Sequence, residues 1–275
     1  MSALHGALLL LIGLVLPAQS LLAQNTPPAE PAGAFGPRQP VPPPNGETGA
    51  KVLNVDFTGY WTAVVSEDWR WRMVTPLKGD FANIPLNASG RAIGESWDPA
   101  RDEAAGEQCK AYAAPGVLRL PEHLHIHWQD AQTLIIDIDA GTQSRVLHFG
   151  PPPADKGEPS WQGYAAARWE GPTPEPYSGA GLGLDPRGNT QSKSLEVVTT
   201  NLRPGYLRKN GIPFSAQTRV TQYFDLLHNP DGSVWIDVTS VVEDPLYLNL
   251  PWVTTTDFKR LPDGALWHPS ACVAR

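Results

Sequence analysis

Several signatures of chemistry are missing from this chain. It has no G-x-S-x-G elbow, no H-E-x-x-H pair, no phosphate-cradling glycine loop and no C-x-x-C. Acyl-enzyme hydrolysis, zinc-protease chemistry, nucleotide chemistry and dithiol redox lose support together. Methionine is scarce, with 2 residues against 29 Pro and 25 Gly, a balance that suits many short strands and turns rather than long helices. An excess of cations is missing too. The net charge of −7 draws neither phosphate backbones nor acidic headgroups. Nucleic acid is therefore not an expected partner; a small-molecule ligand is, and no cofactor is implied.

Long apolar runs are absent apart from Ala7 to Pro17, which is followed by the small residues Ala18, Ser20 and Ala23. That outline is a secretory signal over residues 1–23, too short for a membrane span. It departs from the usual pattern in lacking Lys or Arg ahead of the run. No Cys follows it, so the mature protein is expected to be soluble, without a membrane span, in the periplasm or secreted. Residues 24–50 are dominated by Pro, with almost no large apolar side chains. Such a segment cannot bury enough surface to fold and reads as a disordered linker, which leaves 51–275 as a single domain.

Only two cysteines are present, Cys109 and Cys272. In an oxidising compartment this pair reads as one disulfide tying the C-terminus to an early segment, worth roughly 4–5 kcal/mol in the chain-entropy model. A reactive thiol would need a basic neighbour or a helix start, and only Lys110 stands near either one.

Turning to what is there, apolar residues make up 41% and Trp numbers ten. Trp supplies large buried area together with a donor. Strands are expected at Thr62–Val65, Trp69–Thr75, His123–Trp128, Thr133–Asp139, Thr142–Gly150, Trp161–Glu170, Ser194–Leu202, Ala216–Leu227, Val234–Glu243 and Trp252–Lys259. Turn signals at Gln129–Gln132, Ala140-Gly141 and Asn229–Gly232 join several of them as hairpins. Two short helices fall within 87–106, the second with Asp98 at its N-cap and Pro99 at N1. Pro172 to Asn189 reads as a loop. The expected fold is all-β: about ten strands, mainly antiparallel, closed into a barrel that leaves no edge to protect.

Three clusters are candidates for function. In Glu122-His-Leu-His-Ile-His-Trp128 the three histidines share one strand face, and a neighbouring pair could chelate one metal if the next strand supplied a third ligand. The metal candidates are His123, His125 and Asp137. An odd-length hairpin sets His123 opposite Asp137 and aligns polar with polar, whereas an even one brings Leu124 there. The plainer reading is a polar face with no metal, and a third is His125 as a general base. Next, Arg203, Tyr206, Arg208 and Lys209 fall in a loop between two strands, where guanidinium groups suit a carboxylate or phosphate. Finally, Trp161 to Glu170 alternates as a barrel wall does, with Trp161, Gly163, Ala165, Ala167 and Trp169 on one face and Tyr164 and Arg168 on the other. Glu243-Asp244-Pro245 ends a strand and reads as a turn cap.

Phe57-Thr-Gly-Tyr-Trp61 resembles the G-x-W opening of lipocalins and related calycins. The resemblance implies that Trp61 plugs one barrel end with Lys259 or Arg260 packed on it, and that the architecture is calycin-like. Trp161-Gln-Gly-Tyr, Trp169-Glu-Gly171, Asn210-Gly-Ile-Pro-Phe-Ser215, Glu243-Asp-Pro245 and Pro251-Trp252 are similar, in that order, to motifs of a group of exported bacterial β-proteins of unknown function.

The leading expectation is an exported lipocalin-like barrel binding a small apolar or aromatic molecule with an acidic group. Ligand candidates are Trp69, Arg70, Trp71, Arg72, Tyr164, Arg203, Tyr206 and Arg208. The alternatives are a barrel enzyme (lyase, isomerase or hydrolase) with His125 as base and Arg203 or Arg208 as clamp, and an envelope interaction module.

Overall fold

The computed structural model describes residues 55–170 and 194–275. The expected signal, linker and Pro172–Asn189 loop lie outside them. Among the described residues, ten strands make one sheet in the order β11-β10-β12-β1-β2-β3-β4-β5-β6-β9, and β9 also pairs with β10. Nine strands thus close into a barrel and β11 is left as an extension. The strands are β1 Gly59–Val64, β2 His123–Asp130, β3 Thr133–Ile138, β4 Gln143–Phe149, β5 Tyr164–Trp169, β6 Leu195–Thr200, β9 Arg219–His228, β10 Val234–Glu243, β11 Trp252–Thr254 and β12 Asp257–Arg260. A separate hairpin comprises β7 Gly205–Arg208 and β8 Ile212–Phe214.

An odd-numbered ring cannot be antiparallel throughout, because strand direction must be restored after one circuit. The odd pair is β4–β5, which run parallel, Leu147 facing Ala165. A parallel pair requires a crossover instead of a tight turn, and the chain from Gly150 to Gly163 supplies it.

Inside the ring, period-two alternation sends Leu124, Ile126, Ile136, Leu147, Ala165, Val197, Phe224, Ile236 and Phe258 into one core, each at most 2% exposed. The apolar face expected for Trp161–Trp169 is part of it: Ala165, Ala167 and Trp169 are buried while Tyr164 and Arg168 stay partly exposed. Trp61 is fully buried, its indole donates to the Phe57 carbonyl at 2.9 Å, and the Arg260 guanidinium lies 4.7 Å from its ring centroid. Arg260 is therefore the cation on the plug; Lys259 lies over Trp235 instead.

A second apolar cluster lies beside the first. Phe81, Ile84 and Leu86 pack with Leu207, Phe214, Val242 and Trp252, with the helix α2 Ala88–Ser96 against Phe81 and Leu86 and α3 Pro99–Ala104 following it. Both helices start where expected, with Asn87 accepting from the Gly90 amide and Asp98 from the Ala100 amide. Cys109 and Cys272 are disulfide-bonded with Cα atoms 5.1 Å apart.

Three expected elements differ. Trp69–Thr75 is not a strand: Asp68 takes the left-handed conformation (φ 50°) and its carbonyl accepts from the Trp71 and Arg72 amides, closing a helical turn, α1 Trp69–Arg72. Trp252–Lys259 is two strands, β11 and β12, broken at Thr255-Thr256, although Thr256 still exchanges bonds of 2.9 and 3.0 Å with Val238. The basic loop after Thr199 is the β7–β8 hairpin. Its turn uses Gly211 at φ +82°, where a Cβ would fall 2.1 Å from the Trp97 ring.

Candidate functional site

The site grows out of α1. Its four residues, Trp-Arg-Trp-Arg, point different ways because a helical turn spreads side chains around an axis, whereas a strand would have paired them. Trp69 is 68% exposed, and Arg70 reaches Asp80 at 3.3 Å. Trp71 and Arg72 turn inward. They line a cleft with Thr75, Pro76, Ala111, Gly116, Arg119, Leu120, Leu207, Arg208, Lys209 and Trp252. The hairpin β7–β8 thus brings its basic end to the residues just after the first strand, 130 or more positions away in the chain.

Among the described residues four cations line this cleft and no carboxylate does, although Glu67, Asp68 and Asp257 act on Arg72 from beside it. Their bonding differs. Arg119 is already paired: it bridges Glu67 and Asp68 (2.6 Å) and donates to the Thr255 carbonyl at 2.7 Å. Arg208 donates to the Ala82 carbonyl at 3.2 Å and lies 5.6 Å from the Trp71 centroid. Lys209 sits over Tyr112 at 5.3 Å. Arg72 is 7% exposed; its Nε donates to the Arg119 carbonyl at 2.9 Å, and both terminal nitrogens are buried with no hydrogen-bond partner among the described residues. Burial, with Arg119 adding like charge, pushes the Arg72 pKa down to about 10. Burial does the same to Arg208, also to about 10. A group bearing negative charge would relieve both.

The cavity is small, about 40 Å³. A space of that size suits a compact headgroup such as a carboxylate, sulfate or phosphate. Apolar surface continues outside it: Trp69, Met73, Val74 and Leu77, on the same segment as Trp71 and Arg72, are each more than half exposed.

Of the eight ligand candidates, Trp71, Arg72 and Arg208 meet in the cleft. The others lie elsewhere. Trp69 and Arg70 stand on the outside of α1. Tyr164 is on the outer wall, stacked on His148 at 4.9 Å. Arg203 stacks on Trp161 at 4.6 Å and pairs with Glu107. Tyr206 donates to Asp102 at 2.8 Å, and burial and that carboxylate raise its pKa. Arg119 and Trp252 are cleft residues outside the eight ligand candidates. Pro251-Trp252 stands out only as a motif of the exported group, and the one signal for Arg119 is indirect, a lone Arg in an apolar stretch.

The three histidines do not enter the cleft. Leu124 and Ile126 face the core, which puts His123, His125 and His127 on the outside of the barrel, all partly buried. Polar does align with polar across β2–β3, yet one pair further along than expected: His125, not His123, faces Asp137. A bulge between Trp128 and Asp130 moves the register. His123 bonds Asp139 instead, at 2.8 Å. An enzyme with His125 inside the barrel beside Arg203 or Arg208 is therefore not the arrangement found. Asp244 is a turn cap, accepting from Ser215, Thr218 and the Leu246 and Tyr247 amides.

Compared with family models, with curated proteins and with solved structures, the chain matches none.

Proposed function

We propose that this is an exported, lipocalin-like barrel that binds a small apolar or aromatic molecule through an acidic group, at the α1–hairpin cleft and not in the lumen. The carrying observation is Arg72, a buried guanidinium whose two terminal nitrogens lack partners in a cleft lined by cations and no acid. A carboxylate or phosphate engages such an edge in bidentate fashion. Trp71 and Trp252 wall the headgroup space, and the exposed Trp69, Met73 and Leu77 give the apolar remainder a surface to lie on. The lumen is filled by side chains from every barrel strand, which supports the cleft over the interior. The disulfide supports export to an oxidising compartment, and among the described residues no helix is long and apolar enough to cross a membrane.

Equilibrium quenching of Trp fluorescence across a panel of lipophilic carboxylates and phosphate monoesters tests this reading. Trp71 sits against the headgroup, so saturable quenching is expected for some members. Arg72→Met should weaken it about tenfold to a hundredfold, the range for a lost hydrogen bond to a charged group. No saturation across the panel, or saturation that Arg72→Met leaves unchanged, overturns it.

A further inference from the structure

We infer that His125, His127 and Asp137 form a binding site for a first-row divalent cation of the zinc type on the outer wall of the barrel, separate from the cleft. Their nearest ligand atoms all lie within 4.8 Å of one another. Asp137 Oδ2 is 3.0 Å from His127 Nε2 and 3.9 Å from His125 Nδ1. Ligand atoms about 2.0–2.1 Å from a tetrahedral zinc stand roughly 3.3 Å apart. The two carboxylate distances bracket that value, and the two imidazoles, whose ligand atoms lie within 4.8 Å of each other, would draw together on the ion.

Hydrogen bonding accounts for only half of this arrangement. His127 is within bonding distance of Oδ2, but His125 at 3.9 Å is beyond it and still faces the same oxygen. The other carboxylate oxygen is tied off, since the Ser144 hydroxyl donates to Asp137 Oδ1. One oxygen is anchored from outside the site and the other is left facing two imidazoles, as a supporting shell holds a metal ligand. His125 is also fixed in orientation: it stacks on Tyr60 with ring centroids 4.3 Å apart and meets the Trp267 edge at 6.2 Å.

The register explains why these three meet. His125 lies directly opposite Asp137 and His127 is its neighbour on the same face, within reach as a diagonal pair. Two imidazoles and a carboxylate suit zinc or a similar divalent ion, and three protein ligands leave a fourth position for water. The side chains are 28–40% exposed, so the ion enters from solvent without opening the barrel.

The test uses the mature protein stripped with a chelator and titrated with Zn2+ alone by calorimetry, with Co2+ absorption as a second readout of geometry. Binding should saturate at one equivalent. His127→Gln and Asp137→Asn should each weaken it at least about tenfold, and Ser144→Ala, which touches no metal, by about tenfold. Melting curves of the metal-free variants establish that they remain folded, as expected for partly exposed outer-wall residues. Absence of saturation, or saturation unchanged in both His127→Gln and Asp137→Asn, overturns the assignment.

Discussion

Arg72 in the cleft and Arg145 in the barrel are both buried, and burial pushes both pKa values down to about 10. Their hydrogen bonds are distributed in opposite ways. Arg145 spends its terminal nitrogens on Gln222 and on Thr199 (2.9 Å), leaving Nε without a partner; Arg72 uses Nε and leaves both terminal nitrogens. The terminal pair is an edge that a carboxylate takes in bidentate fashion. In Arg145 neutral groups of the protein already hold that edge, so its charge serves the barrel. In Arg72 the edge is buried and unpaired among the described residues, which is the basis for proposing that its charge serves a ligand. Burial alone therefore does not distinguish the two arginines; the bonding of their terminal nitrogens does.

The largest effect expected from breaking this comparison is at Arg145. Arg145→Ala opens a cavity in a packed interior and strands Gln222 and Thr199, at a cost of about 2–4 kcal/mol, read as a lower midpoint in urea unfolding. Ligand affinity of the folded fraction should not change. A variant of unchanged stability that lost its ligand would move the site into the lumen. Arg72→Met comes next and has the opposite signature. It removes a buried charge whose terminal nitrogens are unpaired, so stability should hold or rise while affinity falls. A destabilised variant with normal affinity would make Arg72 another Arg145. The smallest effect is expected at Arg203. Its guanidinium is about half exposed, on Trp161 and beside Glu107, and such contacts contribute up to about 1 kcal/mol. Arg203→Ala should change neither the unfolding midpoint nor ligand affinity appreciably, and a tenfold loss of affinity would extend the site along the hairpin.

The same contrast explains what could be read from the sequence. The barrel was legible because its information is local. Alternation in Trp161–Trp169, the Asp98-Pro99 helix start and the Gly59-Tyr-Trp61 plug each lie within ten residues and need no knowledge of partners. The calycin resemblance narrowed the cation on Trp61 to Lys259 or Arg260, and Arg260 is the one found there. The cleft was legible only in pieces. Trp-Arg-Trp-Arg carries the alternation of a strand, and nothing in those letters says that Asp68 will go left-handed and roll them into a turn. Asp68 does so while held by Asn83 and Arg119, contacts 15 and 51 residues away. Arg203, Tyr206 and Arg208 look equivalent in sequence. They part company because Glu107 and Asp102, on a helical segment far upstream, claim the first two. In the histidine strand, face and polarity followed from period two, but the length of the turn together with a bulge decided which histidine met Asp137.

The measurement closest to the central claim compares one lipophilic carboxylic acid with its neutral primary amide, each titrated against the wild-type protein and Arg72→Met. If the unpaired guanidinium edge of Arg72 binds an acidic group, the acid should bind wild type at least about tenfold more tightly than the amide, and that preference should vanish in Arg72→Met. Equal binding of acid and amide to the wild type, or a preference that survives Arg72→Met, would contradict the account.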